Sequence, residues 1–512
     1  MTALLALASI TFALGGGQAA AVTRAQRPAS SSSWTSYDGG GGTGSMTAVN
    51  TSTRAWTSPA LDGEIFGQPL VSSGHVYVAT EDDTVYELSA ATGAVVWSTR
   101  VGSPVPSADL PCGNITPTVG ITGTPVIDQS RAEIFVVADE LVNGRPAHIF
   151  TGLSTASGKV EVTEDVDPAG ADPAALLQRT GLALDDGNVV FGLGGNYGDC
   201  ASYRGRVIAV PEQGGTPQMF TVDAAADESQ GAVWMGGAAP VVDSSGDIWV
   251  TAGNGSVYSY SHAYDDSDSI LRLSPSLKLV QFFAPSTWAA NNSSDLDMSV
   301  APALLSDGQV ILTGKSRIVY LLNRADLGGI GGQQAVLGSA CSQDIDGGVA
   351  VQGTTVYLPC TSGIVAVRAV KSPAALHLLW SSGTGGGPPV VAAGLVWTIG
   401  QNGMLYGLDP ATGAVRQEAS IGVPANHFPS PSAADGLLLA PSADQVVAFA
   451  AAAPAPTANP TPAPSEAAAS QAGSQSSAGG VRPVAAIAIG VGVVGVLAVI
   501  GGAFWLGRRR RT

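Results

Sequence analysis

The segment from about Trp56 to Phe449 repeats one short pattern several times. Its clearest copies are Val76–Trp97 and Val396–Val415, each with two short strands of alternating apolar residues followed by an Ala-Thr-Gly turn. A period of roughly 40 to 50 residues built from short strands is typical of a β-propeller. One such unit cannot bury both faces of its small sheet, whereas a closed ring of units can. The sequence therefore predicts an all-β fold, a β-propeller over residues 54–450.

Turn residues divide the propeller into seven complete units and a shorter last one. The last unit, Pro431–Phe449, has two apolar strands but no outer strand. Arg54–Trp56 could supply that strand and close the ring, which gives eight blades. Seven blades is the alternative, because the fifth unit, around Val310–Leu322, is irregular. In either case a closed ring leaves no long exposed sheet edge.

Composition limits the classes of function. The 512 residues include 66 glycines, which suits a chain of tight turns between strands. The net charge is −17, and four of the 23 basic residues form one run at the end of the chain, Arg508–Arg511. Nucleic-acid binding is therefore not expected, because it requires a basic face that neutralises phosphates.

The N-terminal residues resemble an export signal. Ala3–Leu14 is an apolar stretch of signal-peptide length, and Ala19–Ala21 offers a small-residue cleavage site, although no Lys or Arg precedes the apolar stretch. We expect a signal peptide over residues 1–21 and a lead-in over residues 22–53.

The C-terminal residues predict a membrane anchor. Residues 451–482 are rich in Pro, Ala and Ser and suit an extended stalk. Residues 483–507 are apolar throughout and long enough to span a bilayer as a single helix. The arginines of the basic tail, 508–512, favour a cytoplasmic location by the positive-inside rule. The sequence thus predicts a single-pass protein of the cell membrane with its propeller outside the cell.

The four cysteines are Cys112, Cys200, Cys341 and Cys360. An even number in an exported chain favours two disulfides, and three pairings are possible. Cys341 and Cys360 fall within one predicted blade, which favours the pairs Cys341–Cys360 and Cys112–Cys200. Zinc binding is not predicted, because no C-x₂-C spacing occurs.

Other polar residues give weaker signals. None of the five histidines stands in a Ser/His/Asp or H-x-x-x-H arrangement, so we expect them to have surface or packing roles. Asp265–Asp268 resembles the start of a calcium loop, but Leu271 stands at the sixth position from Asp266, where an EF-hand requires Gly. A solvated turn is the favoured interpretation of this segment.

A turn of the form Ala/Asp-x-Thr-Gly-x-x-x-Trp follows the strand pair. Ala90–Trp97 matches it, and Asp409–Gln417 matches it more loosely. The pattern resembles the repeat of PQQ-type (quinoprotein) β-propellers, over residues from about 34 to 450. In that family the tryptophan packs between neighbouring blades. Trp97 keeps this residue, whereas Val162 and Gln417 replace it.

A second stretch resembles PQQ-dependent alcohol dehydrogenases. Ser294–Ser299 and Gly314–Arg324 are similar to a region in which a Trp-Asp-Tyr-Asp motif supplies a catalytic Asp, and a Lys or Arg before the next strand contacts the quinone. The resemblance implies Asp295 as the base and Lys315 as the quinone contact, with PQQ and Ca²⁺ as cofactors. Because Asp295 and Asp297 alternate with Leu296, we expect both on one side of an extended segment; a structural role in a turn is the alternative.

The chain also departs from those enzymes. Ser294 stands where the motif has Trp, no two cysteines are adjacent to form the family's disulfide ring, and no C-x-x-C-H haem motif occurs. Gly194–Cys200 resembles the uncharacterised and polyvinyl-alcohol-dehydrogenase-like branch of the superfamily.

Two functional hypotheses follow. The first is a cell-surface scaffold that binds an unknown protein or polymer ligand without a cofactor, as the outer-membrane assembly scaffolds with this repeat do. The second is a PQQ-dependent dehydrogenase that oxidises alcohols, sugars or polyvinyl alcohol through Asp295 and Lys315.

Overall fold

The structure is a computed structural model that describes residues 33–425 and 428–451. The predicted signal peptide, the stalk beyond Ala451, the predicted span 483–507 and the basic tail lie outside the described residues. Within the described residues, no helix is both long enough and apolar enough to cross a membrane.

Among the described residues, eight sheets form the blades of the propeller, each built on four antiparallel strands. The eight-bladed prediction is confirmed, and the seven-bladed alternative is wrong because the irregular fifth unit also forms a four-stranded sheet. Within each blade we call the strands inner, second, third and outer, in order across the sheet. The strands of the first four blades, in that order, are: blade 1, Leu70–Ser72, His75–Ala79, Thr84–Ser89 and Val95–Arg100; blade 2, Val126–Asp128, Glu133–Val142, Arg145–Ser154 and Val160–Asp165; blade 3, Ala183–Asp185, Asn188–Gly195, Arg206–Pro211 and Gln218–Thr221; blade 4, Val241–Val242, Ile248–Ala252, Ser269–Leu273 and Leu279–Ala284.

The remaining four blades have the same order, and their strands are: blade 5, Ala303–Leu304, Gln309–Leu312, Val319–Asn323 and Ala335–Leu337; blade 6, Ala350–Gln352, Thr355–Cys360, Gly363–Lys371 and Ala374–Ser381; blade 7, Val390–Ala392, Leu395–Gly400, Met404–Leu408 and Val415–Ser420; blade 8, Ser432–Ala434, Leu437–Ser442, Gln445–Ala450 and Trp56–Thr57.

Smaller elements lie in the connections. Two short strands extend blades 3 and 4, and a further strand pair joins blade 1 to blade 2. In the part of the chain that the structure describes, the helical elements are one α-helix and four short 3₁₀ turns. These elements are, in chain order, Tyr37–Gly40 (3₁₀), Val105–Pro106 paired with Thr118–Val119, Ser107–Asp109 (3₁₀), Pro173–Ala175 (3₁₀), Leu176–Leu177, Met235–Gly237 (3₁₀), the α-helix Trp288–Ser294 and Gly329–Ile330.

The N-terminal residues close the ring. Trp56 lies opposite Ala448 and Thr57 opposite Val447, so the outer strand of blade 8 comes from the start of the propeller and its other three strands from the end. This is the closure predicted from the sequence, although the strand covers Trp56–Thr57 rather than Arg54–Trp56.

A tryptophan on an outer strand docks on the next blade at three places. Trp56 lies over Gly93 of blade 1, Trp97 over Gly158 of blade 2, and Trp380 over Gly413 of blade 7. Each indole N–H donates to a main-chain carbonyl oxygen in the same turn. Each glycine has a positive φ, which a turn this close to an indole ring requires.

The two replacements of this tryptophan behave differently. Val162 packs against Gly214 of blade 3 and so keeps the inter-blade contact with a smaller side chain. Gln417 instead forms hydrogen bonds with the lead-in. Its Oε1 accepts from the Thr51 N–H at 3.2 Å, and its Nε2 donates to the Val49 carbonyl oxygen at 3.2 Å.

Connections alternate between the two ends of the ring. We call the end that carries the second-to-third and blade-to-blade connections the loop face, and the opposite end the plug face. Residues 34–44 cross the channel at the plug face. Trp34 pairs with Val71 of blade 1 and Thr43 with Val391 of blade 7, while the Gly348 N–H of blade 6 donates to the Tyr37 hydroxyl at 3.2 Å. This plug segment, which was predicted only as a lead-in, crosses that end of the channel.

Candidate functional site on the loop face

Three residues singled out from the sequence converge on the loop face. Lys315 Nζ lies 3.1 Å from Asp295 Oδ1 and also contacts Asp297 Oδ2. Asp297 Oδ1 accepts from the main-chain N–H of Asn254 at 2.7 Å, and Asn254 Nδ2 donates to Asp295 Oδ1 at 3.2 Å. Asn254 was not predicted; only its place in the second-to-third connection of blade 4 brings it here.

The backbone explains this convergence, but not through the predicted extended segment. Asp295 follows the α-helix Trp288–Ser294 in the left-handed conformation, with φ 55°, so the expectation that Asp295 and Asp297 alternate along a strand is wrong. The chain reverses at the helix end, which leaves the Asp295 side chain 75% exposed while that of Asp297 is 2% exposed. Lys315 is held by its own N–H, which donates to the Asp297 carbonyl oxygen at 2.9 Å.

The site consists of several carboxyl groups around the ammonium group of Lys315. Burial opposes the charged form of Lys315, but Asp297 and Asp295 outweigh it and raise the Lys315 pKa above its usual value. Burial raises the pKa of Asp346 to about 6, although a hydrogen bond with Ser299 and the charge of Lys315 lower it. Burial also raises the pKa of Asp199. Lys315 therefore stays protonated and pairs with Asp295 and Asp297, and its charge also acts on Asp199 and Asp346.

Both disulfides fix loops of this face. Cys112–Cys200, with Cα atoms 6.2 Å apart, joins the blade 1–2 connection to blade 3. Cys341–Cys360, with Cα atoms 5.9 Å apart, joins the blade 5–6 connection to the second strand of blade 6. These are the two pairs favoured from the sequence. Asp199 stands next to Cys200 and accepts a 2.6 Å hydrogen bond from the Tyr203 hydroxyl, so the first disulfide also anchors the acidic site.

Exposed tyrosines lie on the loops beside this site. Tyr197 of blade 3 and Tyr258 and Tyr260 of blade 4 are between 57% and 68% exposed. Tyr260 makes an edge contact with Trp288, the first residue of the helix that precedes Asp295, with ring centroids 5.8 Å apart. Large exposed aromatic side chains on fixed loops are typical of binding surfaces.

Other charged groups line the interior of the ring. The Arg179 guanidinium lies 5.9 Å from the centre of the Phe66 ring and 5.7 Å from that of Phe428, in the channel. His148, for which the sequence predicted a surface or packing role, is fully buried between Asp139 and Asp167, 2.7 Å from each. Burial lowers the pKa of this imidazole, but the two carboxylates outweigh burial and raise it to about 10. His427 lies outside the described residues.

The residues present form only part of a PQQ site. Asp295 and Lys315 are together, and the buried Asn254 Oδ1 has no hydrogen-bond partner among the described residues. The Lys315 ammonium, however, is already bound by two carboxylates, and the surrounding charge is acidic, which opposes a tricarboxylate such as PQQ. The described His, Cys, Asp and Glu side chains contain no group of three placed to hold a metal ion.

An eight-bladed, disulfide-fixed ring with this repeat defines the class of PQQ-like β-propellers. The family profile described as outer membrane protein assembly factor BamB matches residues 42–326, more than half of the chain. The chain belongs to this family. No curated protein sequence matches it.

Solved structures confirm the fold. The quinohemoprotein alcohol dehydrogenase ADHIIG from Pseudomonas putida HK5 is 15% identical, with a TM-score of 0.60 over 84% of this chain and 82% of that one. A europium-containing methanol dehydrogenase is 13% identical, with a TM-score of 0.59 over 82% of this chain and 98% of that one. BamB from Moraxella catarrhalis is 14% identical, with a TM-score of 0.50 over 78% of this chain and 97% of that one. At these identities the likeness concerns the fold alone.

Proposed function

We propose that the protein is a binding scaffold whose loop face holds a protein or polymer partner. The observation that carries the proposal is the set of exposed tyrosines on the loops of blades 3 and 4, beside connections fixed by the Cys112–Cys200 disulfide. Fixed loops lose little conformational entropy on binding, and tyrosine supplies large contact area with few rotatable bonds. The acidic groups around Lys315 favour a partner segment that carries basic side chains.

The course of the chain supports this role. The third strand of blade 8 runs towards the plug face, so the chain leaves the propeller at Ala450 on the side opposite the tyrosines. The segment that leads to the proposed membrane anchor at residues 483–507 therefore does not start from the tyrosine-bearing face. Anchoring and cell-surface location are part of the proposal.

The test is proximity cross-linking of the full chain on intact cells of its own organism. We compare the wild type with Tyr197→Ser/Tyr258→Ser and with Leu378→Ser, a control on the outer strand of blade 6 that is 47% exposed. The tyrosine variant should lose its cross-linked partner, because each exposed aromatic contributes contact area at a desolvated interface. The control should retain it. Equal cross-linking by all three chains would reject the loop face as the binding surface.

A PQQ-dependent dehydrogenase is the second candidate, favoured by the convergence of Asp295 and Lys315. Titration of the full chain with PQQ and Ca²⁺, followed by dye-linked oxidation of alcohols, sugars and polyvinyl alcohol, separates the two candidates. The scaffold proposal expects no saturable quinone binding and no oxidation. Oxidation by the wild type that Asp295→Asn abolishes would establish the enzyme instead.

A further inference from the structure

The plug segment leaves a cavity at the plug face, which we call the mouth cavity. Its volume is about 750 Å³, in the range of ligand-binding sites. The inner strands of blades 3, 4 and 5 form most of its wall, and the plug segment and the inner strand of blade 6 form much of the rest. The lining side chains are mostly small and apolar, including Ala183, Ala239 and Ala303. The cavity has no part in the proposed loop-face surface, because it lies at the opposite end of the ring.

Elsewhere around the mouth, the plug segment pairs with the edges of inner strands. An edge strand directs the N–H and C=O groups of alternate residues away from its sheet. In blade 1, Val71 exchanges two such bonds with Trp34, both at 2.8 Å. In blade 7, the Val391 N–H donates to the Gly42 carbonyl oxygen at 2.6 Å. Blades 2 and 6 also bond the plug segment, so the inner edges of these four blades are occupied.

The corresponding edges of blades 3, 4 and 5 have no partner among the described residues. They are the main-chain groups of Leu184, Val242 and Leu304, which hold the position in their blades that Val71 holds in blade 1. These three residues form no hydrogen bond across the cavity and are partly exposed along its wall. We call them the free edges. An unpaired edge is a template for a further extended segment.

The plug segment also shows how much chain is needed to cover such edges. It bonds blades 1 and 2 with the consecutive residues Trp34 and Thr35, and blades 6 and 7 with Gly41 and Gly42. One residue for each blade is therefore enough, so a short peptide can pair with three neighbouring edges in turn.

We propose that residues 22–32, the part of the lead-in before the described chain, dock in the mouth cavity and pair with the free edges. The next residue, Ser33, lies at blade 2, the neighbour of the first free edge, where its Oγ donates to Gln129 Oε1 at 3.4 Å. A segment of this length can extend over about 36 Å, well beyond the few residues that three edges need. Because it is tethered at Ser33, its effective concentration at the cavity is high. Most of its side chains are small, which suits the cavity lining.

Charge also favours this occupant. The segment contains Arg24 and Arg27 and no acidic residue. At the rim of the cavity, Asp243 of blade 4 already pairs with Arg324 at 3.0 Å. Asp185, at the end of the inner strand of blade 3, has no salt bridge among the described residues. An arginine of the segment supplies the missing opposite charge there, which helps to select this peptide and its register.

The docked segment covers the part of the mouth that the plug segment leaves open. The two segments are continuous in the chain, so together they line the inner edges of blades 1 to 7. This contact is independent of the proposed scaffold function, because it concerns the face opposite the exposed tyrosines.

Hydrogen exchange of the full chain, followed by mass spectrometry, tests the docking. In the wild type, peptides that contain the free edges should be protected, because their amides are bonded to the segment. Arg24→Glu/Arg27→Glu should lose this protection, since it places like charges at the acidic rim. The inner strands of blades 1 and 7, which the plug segment bonds, should be equally protected in both chains.

Arg145→Glu/Lys159→Glu is the matched control. It makes the same change in net charge at two exposed positions of blade 2 that do not line the cavity, and it should keep the wild-type pattern of exchange. An independent readout is the photo-cross-linker p-benzoylphenylalanine in place of Gln26, which should attach to blades 3 to 5 of its own chain.

Three results would overturn the proposal. The first is rapid exchange of the free edges in the wild type, which means that the cavity is open. The second is protection that Arg24→Glu/Arg27→Glu retains, which assigns the cavity to another occupant. The third is protection or cross-linking that appears only as the protein concentration rises, which assigns it to a second copy of the chain.

Discussion

Contacts between connecting segments determine whether individual aspartates are buried or exposed. The sequence favoured a solvated turn at Asp265–Asp268, and this was wrong: Asp265 is 3% exposed and Asp268 is fully buried. Two elements cover this turn: the helix Trp288–Ser294, whose Asn291 Nδ2 donates to Asp268 Oδ2 at 2.6 Å, and the connection from blade 3 to blade 4. The Asp223 N–H donates to the Asp265 carbonyl oxygen at 3.2 Å, and Asp223 is itself fully buried with both carboxyl oxygens unpartnered.

Asp223 should make stability depend on pH. Burial, reinforced by Asp265, Glu228 and Asp266 and opposed by Arg204, raises the pKa of Asp223 to about 9. A carboxyl group whose folded pKa lies above its unfolded value of about 4 contributes stability that is complete below pH 4 and lost as the pH rises through 9. The free energy of unfolding should therefore fall between pH 5 and pH 9.

Urea unfolding of the wild type and Asp223→Asn in a chelating buffer measures this fall. The variant should show a shallower decline, because Asn does not titrate and tolerates the φ of 53° at this position. Asp186→Asn serves as the control, with the wild-type slope, because Asp186 is exposed in a turn with φ 44°. Parallel slopes for all three chains would show that Asp223 is not the titrating group.

At the level of elements, the contact between neighbouring blades depends on a bulky outer-strand side chain and a glycine turn. The repeat predicted this contact for Trp97, and the structure extends it to Trp56 and Trp380, which lie outside the matched pattern. Gln417 could not be assigned a partner from the sequence, because its partners, Val49 and Thr51, are more than 360 residues away in the lead-in.

Two glycines of blade 7 allow the cost of backbone strain to be measured apart from the cost of disturbing this inter-blade contact. Gly413 and Gly394 have φ values of 71° and 72°, but a Cβ on Gly413 would lie 2.5 Å from the Trp380 ring, whereas Gly394 has open space. Gly394→Ala should cost about 1 kcal/mol of unfolding free energy, from backbone strain alone. Gly413→Ala should cost about 1–3 kcal/mol more, since the indole must move.

Chemical denaturation of both variants measures the difference. The fluorescence of Trp380 should change only in Gly413→Ala. Equal losses of stability would mean that the indole moves without cost and that the inter-blade contact contributes little.

For the molecule as a whole, the sequence repeat predicted the ring of blades better than it predicted the residues of the loop-face site. Blade number and closure follow from local patterns, because every blade repeats the same strands and the incomplete last unit requires a partner strand. The proximity of Asp295 and Lys315 was implied by the resemblance to PQQ-dependent alcohol dehydrogenases. The role of Asn254 was not predictable, because the residues that it contacts come from the connection between blades 4 and 5. The plug segment was also missed, since its glycines carry no strand pattern and its partners are spread over several blades.

Closure of the ring can be tested with two tryptophans in similar surroundings. Trp56 and Trp380 are each 8% exposed, each lies over a glycine, and each donates to a main-chain carbonyl. Changing either to Ala should cost about 3–5 kcal/mol, the usual effect of removing a buried aromatic side chain. Their global effects should differ, because Trp380 lies on a strand of eight residues, whereas Trp56 lies on a closing strand of two.

Trp56→Ala should therefore release the closing strand before the ring unfolds, and Trp380→Ala should not. Native-state hydrogen exchange reports the difference: amides of Gln445–Ala450, the strand that pairs with Trp56, should exchange faster in Trp56→Ala only. The freed edge of that strand should also promote self-association, which sedimentation detects. Uniform acceleration of exchange in both variants would mean that the ring opens as a single cooperative unit and that its closing strand has no separate weakness.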